Sequence, residues 1–185
     1  MHRWLCRSNR WRATVGARVS WVVGDTVLGP RLLELGPGPG LTTDLLRVPV
    51  ERLTALEIDS ELAAALARRL RDSNVRVVEG DATDMPFGDA EFSSAVSFTM
   101  LHHVPSAELQ DKLLCEARRV LEPGGFFVGS DSLDGWVMRL IHIGDTLVPV
   151  CPDSFAVRLE RAGFEVLDIQ KNAEAFRFRA RRPAE

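Results

Sequence analysis

From residue 31 onward, short apolar runs alternate with stretches of helical periodicity. Arg31–Leu35 is an apolar run ending at Gly36, and it predicts a strand. Leu41–Val48 predicts a helix, Leu53–Ile58 a second strand, and Ser60–Arg71 a second helix. The Ser-Glu opening of that helix suits an N-terminus, where orphan amides want acceptors and the dipole favours an acid. Val75–Glu79 and Phe92–Phe98 read as strands three and four, then a helix covers about Ser106–Leu121. Pro123-Gly124-Gly125 is expected to stop it, because proline lacks the amide and glycine permits reversal. Phe126–Ser130 predicts strand five.

The two ends follow other patterns. Trp4, Trp11, Val15 and Val22 line one face of a predicted helix over residues 1–24, with arginines filling the other side. It reads as a helix packed on the main domain, or as a lid over the site. Near the C-terminus, Phe155–Ala162 predicts a helix stopped by Gly163, then Phe164–Ile169 and Ala173–Arg179 predict two strands. Phe176 and Phe178 alternate with Arg177 and Arg179, as a half-exposed strand requires. With so short a link these strands must be antiparallel, since parallel pairing needs a longer crossover. Residues 131–153 carry no clear pattern.

Strands alternating with helices imply right-handed crossovers and a mostly parallel sheet covered on both faces. The expected fold is α/β: a Rossmann-like, doubly wound seven-stranded sheet, mostly parallel, with an antiparallel C-terminal strand. Residues 1–28 would form a helical cap and residues 29–185 the main domain.

Composition changes little. At 185 residues, 45% hydrophobic and 26% charged, the chain is an ordinary globular domain that needs no disulfide or metal staple. No apolar stretch approaches the ~20 residues of a membrane span. Arg10, Arg12 and Arg18 interrupt every candidate signal-peptide core, so a cytoplasmic location is expected. Cys6, Cys115 and Cys151 are scattered and form no CxxC pair, which suits reduced thiols. The net charge of −3 combines basic ends with an acidic middle, and is not the footprint of a nucleic-acid binder. Neither a nucleic-acid nor a membrane partner is expected, and an oligomer is possible.

Glu34-Leu35-Gly36-Pro37-Gly38-Pro39-Gly40 carries the chemistry. In a doubly wound sheet the turn after the first strand faces the ligand crevice, and glycines let the backbone approach the ligand. Dinucleotide enzymes place G-x-G-x-x-G there, but this spacing is G-x-G-x-G. Pro37 and Pro39 each lack an N–H, a poor choice where amides must cradle a pyrophosphate. A cationic, phosphate-free nucleoside such as S-adenosyl-L-methionine (SAM) suits the turn better, with Glu34 near its ammonium-bearing tail. Glu57 ends strand two and can accept from both ribose hydroxyls, although nicotinamide enzymes also use an acid there. Asp59 more naturally caps the following helix. Asp81, in Glu79-Gly80-Asp81-Ala82-Thr83, breaks the tie: an acid beside a small residue there can bind the adenine amino group. Capping by Asp81 is its structural alternative.

In order, these segments resemble the class I SAM-dependent methyltransferases. Pro86-Phe87, the strand leading to Leu101-His102-His103-Val104, and Arg119-Val120-Leu121-Glu122-Pro123-Gly124-Gly125 extend the likeness. The last two segments look like the small-molecule and quinone-type, methyltransferase-domain-11-like branch. The resemblance covers roughly residues 30–180. It implies SAM as cofactor, held by Glu34, Gly36, Pro37, Gly38, Gly40, Thr42, Glu57, Ile58, Asp81, Ala82, Ser97 and Phe98. One departure stands out: the family's Phe-Asp at the start of strand four is here Phe92-Ser93-Ser94.

Methyl transfer is an in-line displacement at a sulfonium carbon, so the protein mainly orients and desolvates. A base helps where the acceptor must lose a proton. Catalytic candidates are His102, His103 and Asp131, with His142 less secure. Ser97-Phe98-Thr99-Met100 lacks the Asn/Asp-Pro-Pro-aromatic pattern of adenine and glutamine amine methylases, so the rRNA-dimethylase flavour of Leu56-Glu57-Ile58-Asp59 reads as superficial. No Pro-Cys follows strand four, and no acidic pair followed by Asn suggests magnesium; no metal is expected. The acceptor is then a small molecule, with residues 131–153 as a wall and Trp136 and Met138 as stacking or core residues. Two other readings remain: a non-catalytic binder of SAM or S-adenosylhomocysteine, and an NAD-dependent oxidoreductase.

Overall fold

A computed structural model describes residues 9–142 and 144–185. Helix α1 (Asn9–Val23) precedes strand β1 (Arg31–Leu35), helix α2 (Leu41–Leu46), β2 (Arg52–Glu57), α3 (Ser60–Arg69), β3 (Val75–Glu79) and β4 (Phe92–Phe98). A 3-10 turn (Leu101–His103) leads to α4 (Ala107–Val120), β5 (Leu121–Ser132), α5 (Trp136–Ile141), α6 (Pro152–Arg161), β6 (Glu165–Lys171) and β7 (Ala175–Arg181). The seven strands lie in the order β3-β2-β1-β4-β5-β7-β6. Pairings from β3 to β5 are parallel, and β7 is antiparallel to both β5 and β6. This is the expected Rossmann-like sheet. Strand order reverses between β1 and β4, which opens a crevice at their carboxyl ends.

Both faces of the central strands are buried. Leu33, Leu35, Ala95 and Phe127 join Leu113, Leu114, Phe155 and Leu159 of α4 and α6 in one core. Leu32, Val96 and Val128 join Val22, Leu46 and Leu66 of α1, α2 and α3 in the other. The two-residue period of the strands divides neighbouring side chains between the cores, which explains their continuous apolar runs.

Local chemistry sets the helix starts. The Asp59 side chain accepts from the Glu61 and Leu62 amides (2.9 and 3.0 Å), capping α3, and Ser106 caps α4 through the Leu109 amide. Ser93 accepts the Arg31 amide at 2.9 Å and donates to the Arg31 carbonyl, tying β4 to β1. A hydroxyl thus stitches these strands where the family places an acid.

Three expectations are corrected. Helix α4 ends at Val120, ahead of Pro123, because Leu121 already pairs with Phe92 as the start of β5. Strand β5 is therefore longer than Phe126–Ser130. Residues 131–153 contain α5, on which Trp136 is 78% exposed, so it is no core residue, whereas Met138 is buried. The described N-terminal helix is α1; Trp4 and Cys6 lie outside the described residues, as does the side chain of Trp11. Val22 at its end is buried in the second core, and Arg177 of β7 donates to the Trp21 carbonyl, so α1 packs on the sheet. Cys115 and Cys151 are free and exposed. No helix among the described residues is long and apolar enough to cross a membrane.

Candidate functional site

The turn after β1 is built by three glycines with positive φ: Gly36 (63°), Gly38 (54°) and Gly40 (83°). That region is cheap only for glycine. Space adds a second constraint at Gly36, where a Cβ would lie 2.3 Å from Cγ of Met100. The segment after β4 therefore presses on the turn and forms the opposite wall of the crevice.

Glu57 closes the turn from the side of β2. Its Oε2 accepts the Gly38 amide at 2.8 Å and its Oε1 accepts the Asp59 amide at 3.0 Å. Each carboxylate oxygen has room for further donors, so Glu57 can hold the loop and still receive hydroxyls. Ile58, next in sequence, is 68% exposed beside it. An aliphatic side chain left in the open at a strand end offers a flat apolar surface to a ring.

Glu34 lies beneath the turn and is almost fully buried. Thr42 donates to Oε1, and Thr43 donates to Oε2 at 2.6 Å. Burial is the main cause that lifts its pKa from 4.5 to about 7, against the opposing pull of the two hydroxyls. Because the folded pKa is raised, the folded chain holds a proton between about pH 4.5 and 7 that the unfolded chain has lost. Stability is thus expected to fall as pH rises through that window, by up to about 3 kcal/mol. Urea unfolding of wild type and Glu34→Gln at pH 5 and pH 8 checks this: the amide should remove most of the slope. Equal slopes would refute it.

Asp81 is exposed at the end of β3, and its carboxylate accepts the Thr83 amide at 2.7 Å. It caps a turn here rather than a helix. Ala82 is half-buried, and Ser97 and Phe98 are buried at the end of β4. Pro86-Phe87 and Arg119 belong to a brace, since the Arg119 guanidinium donates to the Met85 and Phe87 carbonyls (3.1 and 2.8 Å).

Across the crevice, His102 and His103 occupy the 3-10 turn after β4, and Asp131 lies near the end of β5. Asp131 is fully buried and accepts the His102 backbone amide at 3.0 Å, the Ser132 amide at 2.6 Å and His102 Nδ1 at 2.5 Å. A carboxylate that already receives two amides acts as acceptor, so Nδ1 carries the proton and Nε2 the lone pair. His103 is half-buried with Nδ1 3.8 Å from Asp145, and burial followed by the neighbouring His102 lowers its pKa to about 4. It is neutral at physiological pH.

Sequence reasoning missed one residue and named another without its neighbours. Thr43 had no signal beyond being a second threonine at a helix start. His142 was named as a less secure base; it packs with ring centroids 5.1 Å from both His102 and His103. Its place at the end of α5 brings it there.

Residues 33–129 match the family described as methyltransferase domain. The chain belongs to that family. Its class I members use SAM as methyl donor, and this chain carries their seven-stranded sheet and glycine turn. A fatty-acid O-methyltransferase of Mycolicibacterium smegmatis is 33% identical over 108 residues, 57% of this chain and 38% of that one. A demethylmenaquinone methyltransferase of Clavibacter sepedonicus is 34% identical over 122 residues, 62% and 48% of the two chains. A probable ribosomal RNA small subunit methyltransferase A of Methanothermobacter thermautotrophicus is 31% identical over 150 residues, 72% and 55%. The chain thus spans about half or less of these relatives' lengths. A solved SAM-dependent methyltransferase from Methanosarcina mazei shares the fold, with a TM-score of 0.73, 17% identity, and coverage of 86% of this chain and 95% of that one.

Proposed function

We propose that this chain transfers the methyl group of SAM to a small-molecule acceptor. The observation that carries this reading is the clamp of Glu57 on the Gly38 amide, between two prolines that offer no amide to a phosphate. The acid is thereby preset beside the turn, with lone pairs left for a ribose. The cofactor's binding set is Glu34, Gly36, Pro37, Gly38, Gly40, Thr42, Glu57, Ile58, Asp81, Ala82, Ser97 and Phe98. Asp81 would receive the adenine amino group and Ile58 would cover the ring.

The cofactor supplies the electrophile. When bound, SAM would offer its methyl carbon to an acceptor lone pair in line with the carbon–sulfur bond, whose electron pair would return to sulfur and leave S-adenosylhomocysteine. The chain orients the two partners and excludes water. An acceptor O–H or N–H sheds its proton at the His102–Asp131 and His103 side of the crevice, where Asp131 fixes the His102 tautomer. Helix α1 caps the domain. The small-molecule relatives, acting on a fatty acid and a demethylmenaquinone, favour an apolar acceptor.

A second acceptor class is favoured by the ribosomal RNA relative, which aligns over the largest share of this chain among the three. Ser97-Phe98-Thr99-Met100 weighs against it. Turnover of methyl-labelled SAM against fatty acids, quinones and ribosomal RNA decides: label in the small molecules supports the proposal, and label in RNA alone overturns it. Calorimetry gives the prior check. SAM and S-adenosylhomocysteine should bind at micromolar concentration, and NAD binding without a SAM response would end this reading.

A further inference from the structure

His102, His103 and His142 present one ring nitrogen each, all within 4.8 Å of one another. Their ring centroids are 4.2, 5.1 and 5.1 Å apart. Two of the rings are also held from behind. His102 Nδ1 is bonded to the Asp131 carboxylate, and His142 Nδ1 to the Met138 carbonyl at 2.8 Å. In each case Nδ1 carries the proton, which leaves Nε2 with the lone pair. A carboxylate or carbonyl behind the far nitrogen is how proteins orient metal-binding histidines and raise their basicity.

We propose that these three histidines bind a divalent transition ion of the zinc type, on the wall of the crevice that faces the acceptor. Imidazole nitrogen suits zinc, cobalt and nickel, and discriminates against magnesium, which demands oxygen ligands. Zinc–nitrogen bonds of about 2.0–2.1 Å put ligand nitrogens roughly 3.3 Å apart in a tetrahedron. Closing from the observed spacing takes side-chain shifts of roughly an ångström. His103 is the half-exposed member, so solvent or acceptor can reach a fourth position. That assignment to the acceptor side rests on the function proposed above; ion binding itself does not. With an ion in place, His102 serves as ligand, and an acceptor hydroxyl on the ion sheds its proton more readily, as metal-bound water does.

The test uses the full chain, stripped with a chelator and titrated with zinc in competition with a chromophoric chelator. One zinc per chain is expected, with no comparable response to magnesium. Cobalt should give visible absorption of nitrogen-ligated metal. His142→Ala and His103→Ala should each weaken zinc at least tenfold, and Asp131→Asn should weaken it tenfold to a hundredfold. SAM affinity of the same samples reports folding; the half-exposed His103 makes its variant the safest to fold. Zinc affinity unchanged in His103→Ala, or magnesium bound as tightly as zinc, overturns the site. Zinc bound as expected without methyl transfer to any acceptor leaves the site standing and sinks the proposed function instead.

Discussion

Glu57→Ala is expected to weaken SAM binding by tenfold to several hundredfold while leaving most of the fold intact. The carboxylate accepts the Gly38 and Asp59 amides at 2.8 and 3.0 Å. Alanine would strand both donors in a site where Glu57 is only 6% exposed, and would remove the acceptor for the ribose hydroxyls. Hydrogen bonds to a charged group contribute about 1.5–3 kcal/mol each, and about 1.4 kcal/mol is a factor of ten. Loss of one such bond therefore sets the lower bound, and loss of two with a loosened turn the upper. Glu57→Gln should fall between, since the amide keeps one acceptor oxygen. Calorimetric titration with SAM measures all three proteins, and equal affinities would refute the ribose assignment.

Gly129→Ala is expected to produce the largest loss of stability of any single methyl addition in the sheet. Gly129 lies in β5, between β4 and β7, paired with Ser97 on one side and Phe178 on the other. A Cβ there would lie 2.4 Å from the Ser97 carbonyl oxygen and 2.6 Å from the Phe178 ring. A backbone oxygen fixed by sheet pairing cannot swing aside as a long side chain can. Overpacking of this kind costs about 3 kcal/mol, which for a chain this size lowers Tm by roughly 6–12 °C. Gly16→Ala is the control: nothing lies within 4 Å of a Cβ there, and inside α1 alanine should gain about 0.5–1 kcal/mol. A Gly129→Ala protein melting with wild type would show that the sheet can open there.

How much of this could be read from the chain varied by element. Val75–Glu79 and Phe92–Phe98 were legible to the residue: the first is a valine-rich run closed by Gly80, half-buried at the sheet edge, and the second is a run of small and apolar residues buried along its whole length. The Asp59 cap and the glycine turn were legible too, since each depends on residues only a few positions apart. Strand β5 was not. Leu121 extends the strand because Phe92 awaits it, and the Gly124 amide donates to the Arg182 carbonyl, contacts between distant positions that no local pattern encodes. The role of Ser93 was hidden likewise, as a serine in a strand gives no sign that it will bond the Arg31 backbone.

By itself, the sequence determined the α/β alternation, the seven strands with an antiparallel finish, the family, and the acids at the strand ends. The family came from the resemblance that its ordered motifs carry, and the rest follow from periodicity and short-range backbone chemistry. Only the tertiary structure decided that Thr42 and Thr43 grip Glu34 in a buried place, that Met100 closes on Gly36, and that His142 comes to rest against His102 and His103. The first depends on how α2 folds back over β1, and the other two on the distance between elements far apart in the chain, which is fixed by how both cores pack against the sheet.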